Sequence, residues 1–193
     1  MTNLQRDDAL IVVDVQRDFL PGGALGVAGG ESVIPVLNRC IAQFVRHGMP
    51  VYATRDWHPP DHCSFRTRGG PWPPHCLADS AGAQFAAALE LPADAHVVSK
   101  ATSREAEAYS GFQGTDLATC VRQDGCRRVV IGGLATEYCV RATALDALQQ
   151  GFAVVVLQDA IRPVDASPGD GARALAELMA RGVRVSRADE VCG

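Results

Sequence analysis

Apolar and polar positions along the chain sort into two kinds of segment. Short, nearly continuous apolar runs mark strands buried on both faces: Ala9–Val13, Pro50–Thr54, His96–Ser99, Arg128–Ile131, Ala153–Leu157 and Val183–Ser186. Between them, apolar residues recur at helical spacing. From Glu31 to Gly48 the repeat is Val33, Val36, Leu37, Cys40, Ile41, Phe44 and Val45, and Gly48 ends it. Further helices are predicted over Ala83–Leu89, Asp116–Arg122, Glu137–Gln150 and Gly169–Arg181. Two stretches fit neither pattern: Trp57–Ala81, rich in Pro, Gly, His and Arg, and Ala101–Gly114. A loop as long as the first is either functional or disordered, and its Trp and His content speaks against disorder.

Six strands alternating with helices predict a single α/β domain over residues 1–193. The expected architecture is three-layered, α/β/α, with a central, mostly parallel six-stranded sheet and right-handed crossovers. Ligands of such sheets bind beyond the carboxyl ends of the strands. Asp14, Asp56, Lys100 and Cys139 each stand just past such an end. Topology alone therefore collects two acids, an amine and a thiol on one edge.

Composition narrows the setting. With 193 residues there is enough chain for one full core. A formal charge of −4 argues against a nucleic-acid or anionic-membrane partner. No apolar run is long enough to span a bilayer, and Met1–Asp8 lacks the features of a signal peptide. A cytoplasmic protein is expected, either monomeric or a homo-oligomer. The seven cysteines are odd in number, scattered, and without a Cys-x-x-Cys pair, which predicts reduced thiols and no disulfide frame.

Candidate chemistry follows from the strand ends. Cys139 lies in the first turn of a predicted helix, where free N–H groups and the helix dipole favour a thiolate. The same N–H groups could hold an oxyanion. Asp14 could accept the thiol proton, and Lys100 could stabilise both anions. Taken singly, each has a plainer reading: buried hydrophobe for Cys139, turn residue for Asp14, solvated strand end for Lys100. A second set is Asp56 and His58, two donors in an extended Asp-x-His segment, with His75 able to close a site for zinc, iron or manganese. His62 either joins them or supports the loop, and His47 reads as a helix-dipole partner. Phe19, Trp72 and Tyr109 lie in the irregular segments and could line a slot for a flat ring, or pack their own loops.

These residues resemble the nicotinamidase (pyrazinamidase) branch of the isochorismatase-like cysteine hydrolases. The resemblance rests on Asp14-Val-Gln-Arg-Asp-Phe19, Arg55-Asp-Trp-His-Pro59, Trp72-Pro-Pro-His-Cys76, Lys100, Tyr109-Ser-Gly-Phe112 and Gly133-Leu-Ala-Thr-Glu-Tyr-Cys-Val140, in the family's order. Ala78-Asp-Ser80 departs from the Gly-Thr pair of many members and affects local loop shape only. The resemblance implies a triad of Asp14, Lys100 and Cys139. It implies an oxyanion hole from the N–H groups of Ala135 and Cys139, with a cis bond between Leu134 and Ala135. It also implies one divalent metal, zinc first and iron or manganese otherwise, on Asp56, His58 and His75. Phe19, Trp72, Tyr109, Leu134 and Tyr138 are the implied substrate contacts. The implied reaction is hydrolysis of nicotinamide to nicotinate and ammonia through a cysteine thioester, serving NAD salvage, with pyrazinamide as a possible second substrate. The alternative within the superfamily is a cysteine hydrolase for a different small amide. Its members as a rule lack the Asp-x-His plus His set.

Overall fold

In β1 (Asp8–Val13) every residue is buried, and alternate side chains leave for opposite cores. Leu10 and Val12 join one apolar cluster; Ala9, Ile11 and Val13 join the other. A strand covered on both faces needs this unbroken apolar run. The computed structural model describes residues 4–193, so Met1–Asn3 of the N-terminal stretch lie outside the described residues. The elements that follow β1 are α1 (Val33–Arg46), β2 (Val51–Asp56), β3 (His96–Lys100), α2 (Leu117–Gln123) and β4 (Arg128–Leu134). Then come α3 (Arg141–Gln149), β5 (Ala153–Arg162), α4 (Asp170–Ala180), β6 (Arg184–Ser186) and α5 (Ala188–Val191).

The six strands form one sheet in the order β3-β2-β1-β4-β5-β6, and every pairing is parallel. Helices α1 and α5 contribute to the first apolar cluster, and α2, α3 and α4 to the second, giving the expected three layers. Helix α1 buries Val33, Ile34, Leu37, Cys40, Ile41 and Phe44 along one stripe. Val45, predicted on that stripe, instead lies half exposed. Among the described residues no helix is long and apolar enough to cross a membrane.

Two predicted helices differ. Ala83, Ala86 and Leu89 are buried at a spacing of three, but Ala83–Leu89 is a run of turns. Its backbone pairs with the segment after β1: Arg17 N–H donates to Gln84 O (2.9 Å) and Ala86 N–H to Val15 O (2.9 Å). Tertiary pairing has overridden a helix-like period. The helix predicted from Glu137 opens as a π-helical turn, Thr136–Val140, and becomes α-helical only at Arg141. At the end of β4, Gly133 has φ of 135°, and a Cβ there would lie 2.0 Å from Val13 O. Only glycine lets β4 pass this close to β1 on its way to the turn.

The cysteines are not all reduced, contrary to expectation. Packing of α5 beside α1 brings Cys40 and Cys192 to a Cα–Cα distance of 5.3 Å, and they form a disulfide. That contact joins residues 152 apart in sequence, and nothing in their spacing announces it. Cys63, Cys76, Cys120, Cys126 and Cys139 remain free. A cross-link over so long a loop restricts the unfolded chain strongly, and such bonds are typically worth about 2–4 kcal/mol. Cys192→Ser is therefore expected to lower the unfolding free energy by about that amount. Denaturant titration with and without dithiothreitol checks it: the parent should fall to the variant's midpoint on reduction, and the variant should not respond.

Candidate active site

Four adjacent strands deliver the four polar residues to one edge. Lys100 ends β3, Asp56 ends β2, Asp14 follows β1, and Cys139 lies in the π-helical turn after β4. The chain winds outward from β1 in one direction and from β4 in the other. This is the switch point at which doubly wound sheets open a crevice.

All four side chains are buried, and Lys100 joins them. Its Nζ lies 2.9 Å from Asp14 Oδ2, 2.5 Å from Asp56 Oδ1 and 3.4 Å from Cys139 Sγ, and it also donates to Ala108 O at 3.2 Å. Asp14 Oδ1 accepts a hydrogen bond from Thr54 Oγ1 (2.6 Å). The Asp14 carboxylate also meets the Cys139 thiol, which places it to accept that proton. Gln16 fixes Asp56 from both sides: Oε1 accepts from Asp56 N–H (2.8 Å), and Nε2 donates to Asp56 O (2.8 Å).

Burial opposes charge on Lys100, but the carboxylates of Asp14 and Asp56 outweigh it and hold the ammonium. Burial raises the Asp14 carboxyl above its ordinary range, with Lys100 pulling the other way. Burial likewise pushes the Cys139 thiol well above its ordinary range, again against Lys100. The expectation of a lowered thiol pKa from the helix dipole is thus overturned. The cysteine is buried in its π-helical turn, and desolvation outweighs the pull of Lys100. The resting residue is a thiol beside an acceptor.

The second set also assembles. Asp56, His58 and His75 place one ligand atom each within 4.8 Å of one another, and all three are buried. His58 Nδ1 bonds to His75 O (3.0 Å) and His75 Nδ1 to Pro73 O (2.8 Å). Carbonyl partners at Nδ1 fix each ring as an Nδ1–H tautomer and leave Nε2 as the ligand atom. His75 Nε2 lies 4.0 Å from Asp56 Oδ2, a gap that one ion with bonds of about 2.0–2.2 Å can bridge. Burial lowers His58 to about 3, so it is neutral and ready to ligate at physiological pH. The donor set fits a divalent metal. The Asp14, Asp56 and Cys139 group does not, because Lys100 Nζ already lies among its atoms. His62 supports the loop: Nδ1 bonds to Ser64 Oγ (2.7 Å) and Nε2 to Ala106 O (3.1 Å). His47 bonds Gln43 O at the end of α1, as its helix-dipole reading anticipates.

Both sets reach one pocket, the first through Asp56 and Cys139. Phe19, Trp72, Tyr109 and Tyr138 line it, as do Ala135, Cys139, Asp56, His58 and His75. The aromatic wall is self-locked. Trp72 Nε1 donates to Tyr109 Oη (3.0 Å), and Tyr138 packs against both rings at centroid distances of 5.1 and 5.7 Å. Leu134 does not line the pocket; its side chain is fully buried in the core, while the Leu134–Ala135 bond is cis. Leu25, Val27, Glu107 and Val164 line it without having been singled out. Glu137 holds Val164 there, accepting hydrogen bonds from the N–H groups of Val164 (3.2 Å) and Asp165 (2.8 Å). Within the quoted motifs, Gln16 and Asp18 were also missed. Asp18 accepts from Cys76 N–H at 2.7 Å and so pins the loop that carries His75.

Known proteins share this fold. The Isochorismatase domain matches residues 8–190. A nicotinamidase of Escherichia coli (strain K12) is 38% identical over 195 residues, covering 90% of this chain and 92% of that one. The crystal structure of a pyrazinamidase of Pyrococcus horikoshii in complex with zinc shares 54% identity at a TM-score of 0.90, covering 94% of this chain and 99% of the other. The protein PnC1 from L. infantum, in complex with nicotinate, shares 39% identity at a TM-score of 0.91, covering 99% and 98%.

Proposed function

The chain belongs to the isochorismatase family, and from that premise we propose that it hydrolyses nicotinamide to nicotinate and ammonia, with Cys139 as nucleophile. One observation carries the reading. A buried Lys100 ammonium bridges Asp14, Asp56 and the Cys139 thiol, and Cys139 lines the same aromatic pocket as the Asp56, His58 and His75 donor set. The nicotinate complex and the zinc complex of its relatives support the substrate and the ion. The metal set also weighs against the alternative of a different small amide.

The proposed steps use the chain's own groups. The substrate ring stacks among Phe19, Trp72 and Tyr109. When bound, a divalent cation on Asp56, His58 and His75 supplies an anchor for the pyridine nitrogen; the nitrogen-rich donor set suits zinc, with iron and manganese as further candidates. Asp14 takes the thiol proton of Cys139, and the sulfur attacks the amide carbon. The carbonyl electron pair moves to oxygen, where the N–H groups of Ala135 and Cys139 stabilise it, each by about 3 kcal/mol. As the tetrahedral species collapses, the C–N bond breaks and Asp14 returns the proton to the departing ammonia. A water then gives a proton to Asp14 and attacks the thioester. The C–S bond breaks, Asp14 returns the proton to the sulfur, and the product leaves as nicotinic acid, which ionises to nicotinate in water. Lys100 stays charged and holds Asp14 beside the sulfur. Pyrazinamide presents the same carboxamide on a diazine ring and is the proposed second substrate. Salvage of NAD precursors is the proposed setting.

Ammonia release from nicotinamide, before and after chelation, tests the reading. Activity is expected to fall at least about 10-fold on metal removal and to return with zinc, iron or manganese. His58→Ala is expected to weaken metal and substrate binding together. Turnover indifferent to chelation would leave the cysteine chemistry standing and reduce Asp56, His58 and His75 to structure. No release from the metal-loaded protein would sink nicotinamide as substrate.

A further inference from the structure

Asp56, His58 and His75 do not exhaust the ligating side chains of the pocket. A second group, His58, His62 and Glu107, also brings one ligand atom from each within 4.8 Å, and it shares His58 with the first. Its members are not equivalent. His62 spends both nitrogens on Ser64 and Ala106. Glu107 comes from the irregular segment after β3, is half-buried, and lines the pocket. Its Oε1 accepts from Ala108 N–H at 2.9 Å, and among the described residues no hydrogen-bond donor meets Oε2.

Charge gives this carboxylate a role. Asp56 is the only anion of the Asp-His-His set, and its charge is already engaged by Lys100. A divalent cation there would meet two neutral imidazoles and one carboxylate shared with an ammonium. Among the described residues no arginine or lysine side chain lines the pocket to claim Glu107. We propose that Glu107 is the second anionic group of the metal site, facing the divalent cation beside His58 and raising the affinity of the site for it. This rests on the metal set proposed above.

The test reads metal affinity, not turnover. Glu107→Gln keeps the acceptor for Ala108 N–H and removes only the charge. The zinc dissociation constant, measured by competition with a chromophoric chelator, is expected to rise 10- to 100-fold in this variant, the usual scale for groups supporting a metal site. Glu105→Gln is the control for general surface charge: Glu105 is exposed and paired with Arg68 and Arg104, and its loss should leave the constant within about twofold. His75→Ala should lose more affinity than either. Zinc binding by Glu107→Gln within twofold of the parent, with His75→Ala impaired, would overturn the role of Glu107 and leave the three-residue set intact. Parent-like binding by His75→Ala would overturn the set itself. Glu107→Asp and Glu107→Ala give a second reading. The variant that keeps the charge should bind zinc at least fivefold more tightly, and equal affinities would overturn the inference.

Discussion

Cys139→Ala is expected to lower ammonia release from nicotinamide by at least about 10⁴-fold, the scale seen when a covalent nucleophile is removed. The sulfur is proposed to form the bond that carries the acyl group, and no other side chain in the pocket can replace it. Cys76 is buried in the same region, but burial and nearby Asp56 and Asp18 push its thiol far up, so it is no spare nucleophile. Binding should survive, because the ring wall of Phe19, Trp72 and Tyr109 and the Asp56, His58 and His75 set do not depend on the thiol. Two measurements separate these effects: a coupled ammonia assay for turnover, and calorimetric titration with nicotinamide for affinity. Near-parental turnover would remove Cys139 from the chemistry altogether. Lost turnover together with lost binding would point to a collapsed pocket and not to a missing nucleophile.

Lys100→Met is expected to cost both stability and activity. Among the described residues the Lys100 ammonium is the one cation that pairs with both Asp14 and Asp56, and each carboxylate has an oxygen within 4.8 Å of the other's and of the Cys139 sulfur. Removing one partner of a buried ion pair typically costs about 3–5 kcal/mol, because the remaining charge stays buried without compensation. The carboxylates can relieve this only by binding a proton, so their folded pKa rises above the unfolded value. A carboxyl shifted in that direction binds more protons when folded, and stability falls as pH rises. The deficit relative to the parent should therefore be smaller at pH 5 than at pH 8. A proton retained by the pair also disables Asp14 as a base, so turnover should fall at least about 10²-fold. Denaturant titrations at both pH values check the first claim; a deficit below about 1 kcal/mol at pH 8 would show that the ammonium does not hold this cluster together.

The sheet was legible because strands buried on both faces must read as unbroken apolar runs, and those runs set the strand ends. Asp14, Asp56, Lys100 and Cys139 could be collected from sequence for that reason. The Asp56, His58 and His75 cluster was legible because Asp-x-His and Pro-Pro-His-Cys confine these side chains to short segments. What escaped depends on contacts between distant segments. Ala83–Leu89 looks helical because its apolar period of three comes from lying along Val15–Arg17. The Cys40–Cys192 bond requires α5 to reach α1. Glu107 and Val164 turn into the pocket from irregular segments, where no period says which side chain points inward. Leu134 was carried along with its neighbours in the motif, yet its side chain belongs to the core. The Cys139 pKa was misjudged because a sequence shows a helix start but not the depth at which it is buried.

The first strand of the chain occupies the middle of the sheet, where Asp8 pairs with Arg128 and Val13 with Gly133. Such a layout has high contact order. Helices form locally within microseconds, but the pairing of β1 with β4 must wait for segments far apart in sequence to meet, and that closure carries an entropic penalty before any contact rewards it. Asp14 and Cys139 hang from these two strands. Asp14 and Cys139 therefore come together only once these two strands have paired, and a molecule with only its helices in place lacks that juxtaposition.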